Sequence, residues 1–275
     1  MAERTDRTAG APRREVDFAT VTETPGTAAL PETLDALRTR YELASRLAAG
    51  GDVLEVGCGP GMGLGYLQRR CRQVVGGEYD AGLVRRARAH YGARLPLCRL
   101  DAGVLPFVDA AFDLVLLLEA VYYLPEPARF VAEARRVLRP GGALLICSAN
   151  CERPDFNPSP HTFSYLGAAA LGDLLRAEGF AVELAAAFPA AEPGPTAGLY
   201  RLLRATAVKL RLIPRTMAGK ERLKRLLYRG LRPLPAELTD EGRATPLVAV
   251  GPGTPVTGYK VVYATGRLPA ASASR

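Results

Sequence analysis

The 275-residue chain is predicted to fold as an open, doubly wound α/β sheet that holds its ligand at the carboxyl ends of parallel strands. Three observations carry that prediction. Val53-Leu-Glu-Val56 runs straight into the glycine cluster Gly57-Cys-Gly-Pro-Gly61, after which Leu64, Leu67 and Cys71 recur at helical spacing, giving strand, tight turn and helix. Leu114 to Leu118 is a continuous apolar run of the kind buried on both faces of a parallel sheet. Strand-like and helix-like segments alternate on either side of it, and right-handed crossovers wind such segments into a single sheet.

Residues 1–28 are small, polar and aperiodic and are expected to form a disordered tail. From Pro31 a helix follows, its buried face marked by Leu34, Leu37, Tyr41, Ala44 and Leu47, and Gly50-Gly51 ends it. Glycines at 57, 59 and 61 permit positive φ and let a ligand approach the backbone with no Cβ in the way. Their spacing discriminates between ligands. A dinucleotide fingerprint needs Gly-x-Gly-x-x-Gly, but the sixth position is Met62, Leu64 or Tyr66 from the three possible starts, which disfavours NAD. No Lys follows the glycines, so a phosphate-binding P-loop is excluded.

A second strand, Gln73 to Gly77, ends in Glu78-Tyr79-Asp80, where the Glu78 carboxylate can accept from two ribose hydroxyls. Leu83, Val84, Ala87 and Tyr91 then mark a helix. The short strand Leu97 to Leu100 stops at Asp101-Ala102, a place for an acceptor to the adenine amino group. Either acid alone reads more readily as a helix cap or turn residue; together at successive strand ends they read as nucleoside ligands. Glu119 ends the long apolar strand. Phe130, Val131, Ala134, Val137 and Leu138 form a helix that Arg139-Pro-Gly-Gly142 turns into the strand Ala143 to Cys147.

The ordered elements LEVGCGPG, GEYD, LDAGVLPF, FDLVLLLEA and RRVLRPGG, spread over about residues 40–150, resemble class I S-adenosylmethionine (SAM) methyltransferases of the small-molecule type. The resemblance implies a seven-stranded Rossmann-like sheet whose last strand, Gly258 to Ala264, runs antiparallel, with SAM as cofactor. It assigns Glu55 and the loop Gly57, Cys58, Gly59 and Gly61 to the methionine part, Glu78 with Tyr79 to the ribose, and Asp101 with Ala102 to the adenine. Glu119 would border the methyl-transfer cavity. Tyr41, on the helix that overlies the cofactor in such proteins, is read either as a cofactor contact or as a core contact. Relatives commonly carry a histidine soon after the position of Glu119; here Tyr122-Tyr123 stand instead, so these tyrosines and His161, in the irregular segment after the fifth strand, are the candidate catalytic groups.

Residues 29–275 are expected to form one domain, with a helical insertion at 190–255 between the sixth strand, Ala181 to Phe188, and the seventh. Leu199, Leu202, Leu203, Leu210 and Ile213 predict one amphipathic helix there and Lys220 to Tyr228 a second, placed as a lid over the substrate end. Arg201 to Arg232 holds eleven Lys or Arg and one acid, Glu221, a local charge of 11 − 1 = +10 against +8 for the chain. Such a patch suits an anionic or phosphate-bearing acceptor, or an anionic lipid surface; few aromatics interleave it, so nucleic acid ranks last, and a solvated face is the plain alternative. The acceptor is expected to be a hydroxyl of a sugar or secondary metabolite. Five cysteines without a Cys-x-x-Cys pair, no long apolar span and no signal-like apolar stretch predict a cytoplasmic location.

Overall fold

In the computed structural model the described residues are 18–190, 219, 230–240, 242–251 and 253–270. The two predicted helices of the basic segment fall almost wholly outside them, as do residues 1–17. Helix α1 (Pro31–Ala48) leads into β2 (Asp52–Val56), after a two-residue strand β1 (Ala28–Ala29). There follow α2 (Leu64–Gln68), β3 (Gln73–Glu78), α3 (Ala81–Tyr91), β4 (Leu97–Arg99), β5 (Phe112–Leu118), α4 (Pro127–Val137), β6 (Leu138–Ala149), α5 (Ala168–Ala177) and β7 (Ala181–Pro189). Short strands β8 (Arg232–Pro233) and β9 (Val248–Ala249) precede the last strand, β10 (Tyr259–Arg267).

The main sheet has the order β4-β3-β2-β5-β6-β10-β7-β9. Neighbours from β4 to β6 are parallel, and β10 is antiparallel to both β6 and β7. The final antiparallel strand is therefore as expected. The main sheet holds eight strands rather than seven among the described residues, because β9, two residues long, adds to β7 at the edge. The order reverses between β2 and β5, and a crevice opens at such a switch point beyond the strands' carboxyl ends.

Alternation along the central strands separates two cores. Val53, Leu114, Leu116 and Leu118 join the cluster under α1 and α2, whereas Leu54, Val56, Val115 and Leu117 join the one under α4 and α5. Glu55 consequently points to the α1 side, where it is almost fully buried. The predicted turn Arg139-Pro-Gly-Gly142 lies within the span of β6 as a bulge, pairing with β5 passing from Leu138 to Ala143 and Gly141 taking φ 78°, and Arg139 bonds both Asp113 (2.7 Å) and Asp52 (2.9 Å). Its guanidinium thereby ties the amino ends of β2 and β5 together.

Two further expectations are corrected. Residues 18–28 are not a loose tail: Phe18–Thr20 is a 3-10 turn, the Phe18 amide donates to Asp80 (3.1 Å), and β1 pairs antiparallel with β8. The described end of the insertion, residues 230–251, is extended rather than helical. It is clamped to the helices by the buried Leu234 and Leu238, by Asp240 between Arg38 and Arg70, and by Glu237 among Arg69, His90 and Arg94.

Candidate active site

A cavity of about 750 Å³ lies over the carboxyl ends of β2, β3 and β5. Its floor is the glycine turn. Gly57 and Gly59 take φ 71° and 57°, and the amides of Gly57 and Cys58 both donate to the Gly77 carbonyl (2.8 and 3.1 Å), folding the turn back on β3. A Cβ at Gly57 would stand 3.0 Å from that of Ala120, and one at Gly59 3.3 Å from Thr22 Cγ2, so neighbouring side chains crowd both positions. Gly61, also at positive φ, is absent from the lining. It lies behind the turn, where its carbonyl accepts from the buried Tyr91 hydroxyl (2.7 Å).

Glu78, at the end of β3, accepts from Gly59 N (2.9 Å) through one oxygen and Asp80 N (2.8 Å) through the other. Burial raises its pKa and these amides pull the other way. The carboxylate still has acceptor capacity for a ligand hydroxyl. Asp80 caps α3 through the amides of Gly82 and Leu83. Tyr79, Asp101 and Ala102 complete this end of the cavity, and Asp101 Oδ1 accepts from Gly103 N (2.8 Å).

Beneath the turn, the Tyr41 hydroxyl donates to Glu55 Oε1 (2.7 Å), while Glu55 Oε2 is buried with no partner. Burial pushes the Glu55 pKa up to about 8, against the pull of the Tyr41 bond, with Glu78 adding to the rise and Arg40 opposing it. Tyr41 is a core contact, its ring packed under Gly63 where any Cβ would overlap it, and it also lines the cavity. At the end of β5, Glu119 adopts φ 54°, the left-handed region that an L side chain rarely takes. Its Oε1 accepts from Arg40 Nη2 (3.0 Å) and Cys147 Sγ (3.7 Å), and Oε2 from the Tyr122 hydroxyl and Ala149 N (both 3.0 Å). Arg40 is held firmly charged: burial, the largest single effect, would lower its pKa, but Glu119, Cys147, Tyr263 and Glu23 together more than offset it.

Of the groups singled out from sequence, Tyr122 and Tyr123 line the cavity beside Glu119, whereas His161 does not; it is exposed on the rim loop at φ 64°. The loop reaches the cavity through Phe156, Asn157, Ser159, Phe163 and Tyr165 instead. It is held there by Glu152, which accepts from Ala168 N and Val256 N, and by the buried Arg153–Asp155 pair. Sequence reasoning also missed Phe18, Thr22, Glu23 and Arg40. The first three sit in a segment whose composition resembles a tail, and Arg40 is one arginine among several on α1.

The parts present fit a ligand with a nucleoside at one end and an amino acid at the other. Glu78 stands at a strand end for hydroxyls, and the orphaned Glu55 Oε2 is an acceptor that an ammonium group would satisfy. The fold is that of class I methyltransferase structures. Residues 54–146 match the family described as a methyltransferase domain.

A probable S-adenosylmethionine-dependent methyltransferase of Mycolicibacterium smegmatis is 38% identical over 149 residues, 52% of this chain and 57% of that protein. The phthiotriol/phenolphthiotriol dimycocerosates methyltransferase 1 of Mycobacterium ulcerans is 45% identical over 100 residues, 35% of this chain and 37% of that protein. The chain therefore spans little more than half of the first relative and well under half of the second. Among solved structures, a SAM-dependent methyltransferase from Archaeoglobus fulgidus superposes with a TM-score of 0.54 at 15% identity, over 87% of this chain and 95% of that one. The cyclase SpnF gives the same TM-score at 19% identity, over 87% and 82%. Likeness at that identity speaks for the fold alone, and one fold hosts several chemistries.

Proposed function

We propose that this chain is a SAM-dependent methyltransferase acting on a small or carrier-linked acceptor. The observation that carries the reading is Glu78, fixed by the amides of Gly59 and Asp80 at a strand end beside the glycine turn, inside a cavity of the size small-molecule sites use. SAM, when bound, supplies an activated methyl group on a sulfonium, so the chemistry asks the protein mainly for alignment. Glu78 and Asp101 would hold the nucleoside, and Glu55 with the backbone of Gly57–Gly59 the methionyl end. Glu119, tied on both oxygens, fixes Tyr122 and Arg40 at the acceptor side and leaves an acceptor only the space between rings. Five free cysteines suit a reducing compartment such as the cytoplasm.

Titration calorimetry with SAM tests the reading. Binding should be saturable with one site per chain, and Glu78→Gln should weaken it about tenfold or more, since hydrogen bonds to a charged group contribute about 1.5–3 kcal/mol. A folded protein that takes up no SAM would overturn the proposal. Binding without turnover on any acceptor would leave a cofactor-binding module. A lipid-linked acceptor is the second reading, supported by the +10 segment and by the name of the Mycobacterium ulcerans relative.

A further inference from the structure

Five aromatic rings meet in a chain along the acceptor side of the cavity. Phe18 meets Tyr123 edge-on (centroids 5.2 Å apart), Tyr123 meets Tyr122 (4.7 Å), Tyr122 stacks on Tyr165 (4.5 Å, planes 25° apart), and Tyr165 meets Phe156 (4.6 Å). All five line the cavity. Their hydroxyls are held by neighbours: Tyr122 donates to Glu119, Tyr123 shares a hydrogen bond with Ser159 Oγ (2.9 Å), and Tyr165 accepts from Ser159 N (2.9 Å). What faces a ligand is ring surface, which rewards a flat π-system and offers little to a polyol. Among the described lining residues the one cation is Arg40, already bonded to Glu119.

The proton acceptors are equally constrained. Burial holds the Tyr122 and Tyr123 phenols above their ordinary value and pushes Tyr165 to about 12, so none is a ready base at neutral pH. The four hydrogen bonds to Glu119 fill the acceptor sites of a carboxylate. Glu55, Glu78 and Asp101 each accept from a neighbour. Glu23 alone among the described lining carboxylates accepts no hydrogen bond, and it lies close enough to stabilise the charge of Arg40, which is itself bonded to Glu119.

Resting on the methyltransferase reading, we infer that the acceptor is a planar aromatic ring bearing a hydroxyl, a phenol rather than a sugar alcohol, and that Glu23 takes its proton. A carboxylate is a weak base. It is a workable partner for a phenol, which ionises near pH 10, and a poor one for an aliphatic hydroxyl, closer to water at about 15.7. In the reaction the hydroxyl proton passes to the Glu23 carboxylate and the phenolic oxygen forms the new bond to the methyl carbon. The carbon–sulfur bond of the donor breaks with its electron pair left on sulfur.

The test incubates the full chain with isotopically labelled SAM and a panel of polyphenols, aliphatic alcohols including methyl glucosides, and aryl amines. SAM binding is measured in parallel. Methyl ethers should form from phenols. Tyr165→Leu should raise the phenol KM tenfold or more with SAM affinity within twofold, and Tyr165→Phe should restore it. Glu23→Gln should lower kcat about a hundredfold for an ordinary phenol at pH 7 and far less for a nitrophenol already ionised there, a contrast that a merely structural role would not produce. No uptake of SAM would bring down the methyltransferase reading itself. SAM bound with methyl transfer only to alcohols or amines, or to none of the panel, would overturn the phenol assignment, and an equal loss for both phenols in Glu23→Gln would overturn the base.

Discussion

Glu55 concentrates the electrostatics of the site in one residue. Its pKa of about 8 lies well above the ordinary carboxyl value, so folding keeps a proton that the unfolded chain releases. The resulting stability is fully present below about pH 4.5 and is lost as pH rises through 8. Thermal unfolding of the cofactor-free protein should therefore show a fall in Tm between pH 5 and 8 that Glu55→Gln reduces. Cofactor binding should show the opposite trend. An ammonium partner favours the carboxylate, only about a tenth of which is ionised at pH 7, so SAM affinity should rise several-fold from pH 7 toward 8, above which loss of the ligand's own ammonium proton opposes the gain. The Tyr41 bond opposes the upward shift; Tyr41→Phe should move the midpoint of that rise above 8, read by calorimetry in a pH series. A flat affinity profile in the wild-type chain would mean that Glu55 does not face the ammonium.

Single elements place these groups, and their tolerances are testable. Gly63, at the start of α2, has ordinary helical dihedrals, so no backbone demand explains the glycine; what does is the Tyr41 ring, which any Cβ would overlap. Gly63→Ala should destabilise the fold by about 1–3 kcal/mol, as overpacking does, and should weaken SAM binding by moving Tyr41 off Glu55; denaturant unfolding and calorimetry read the two effects. The same elements show where sequence reading succeeds. Periodicity located α1, α3 and α4 because their buried positions, such as Leu83, Val84, Ala87 and Tyr91, repeat at helical spacing. The apolar run of β5 announced a two-sided strand. Residues 18–23 were illegible because their contacts are made by a 3-10 turn and extended chain, which leave no period. Gly61 was misplaced for a related reason: spacing shows that a glycine is needed, but not whether ligand or a Tyr91 ring stands opposite it. His161 drew notice for its chemistry, while the fold carries Ser159 and Tyr165 to the cavity from the same loop.

At the scale of the molecule, charge and connectivity meet at one place. The cavity-lining residues 18–23 continue into β1, and β1 pairs with β8 so that Ala29 stands opposite Arg232, the last residue of the +10 segment. Leu234, Glu237 and Asp240 then fasten the chain to α1, α2 and α3. One end of the basic segment is thereby anchored beside the segment that roofs the cavity. We expect these cations to gather an anionic acceptor, or the anionic carrier it rides on, by raising its local concentration. Replacing Arg222, Lys224 and Arg225 together by Gln should raise the KM for such an acceptor several-fold, more at low salt than at 0.5 M. SAM affinity should be unchanged, because Glu55, Glu78 and Asp101, the groups proposed to hold the cofactor, lie at the strand ends. The same triple variant should be tested for sedimentation with liposomes containing anionic lipid. Lost sedimentation with unaltered acceptor kinetics would assign the charge to a membrane surface. No change in either measurement would leave it the role of keeping the protein dispersed in water.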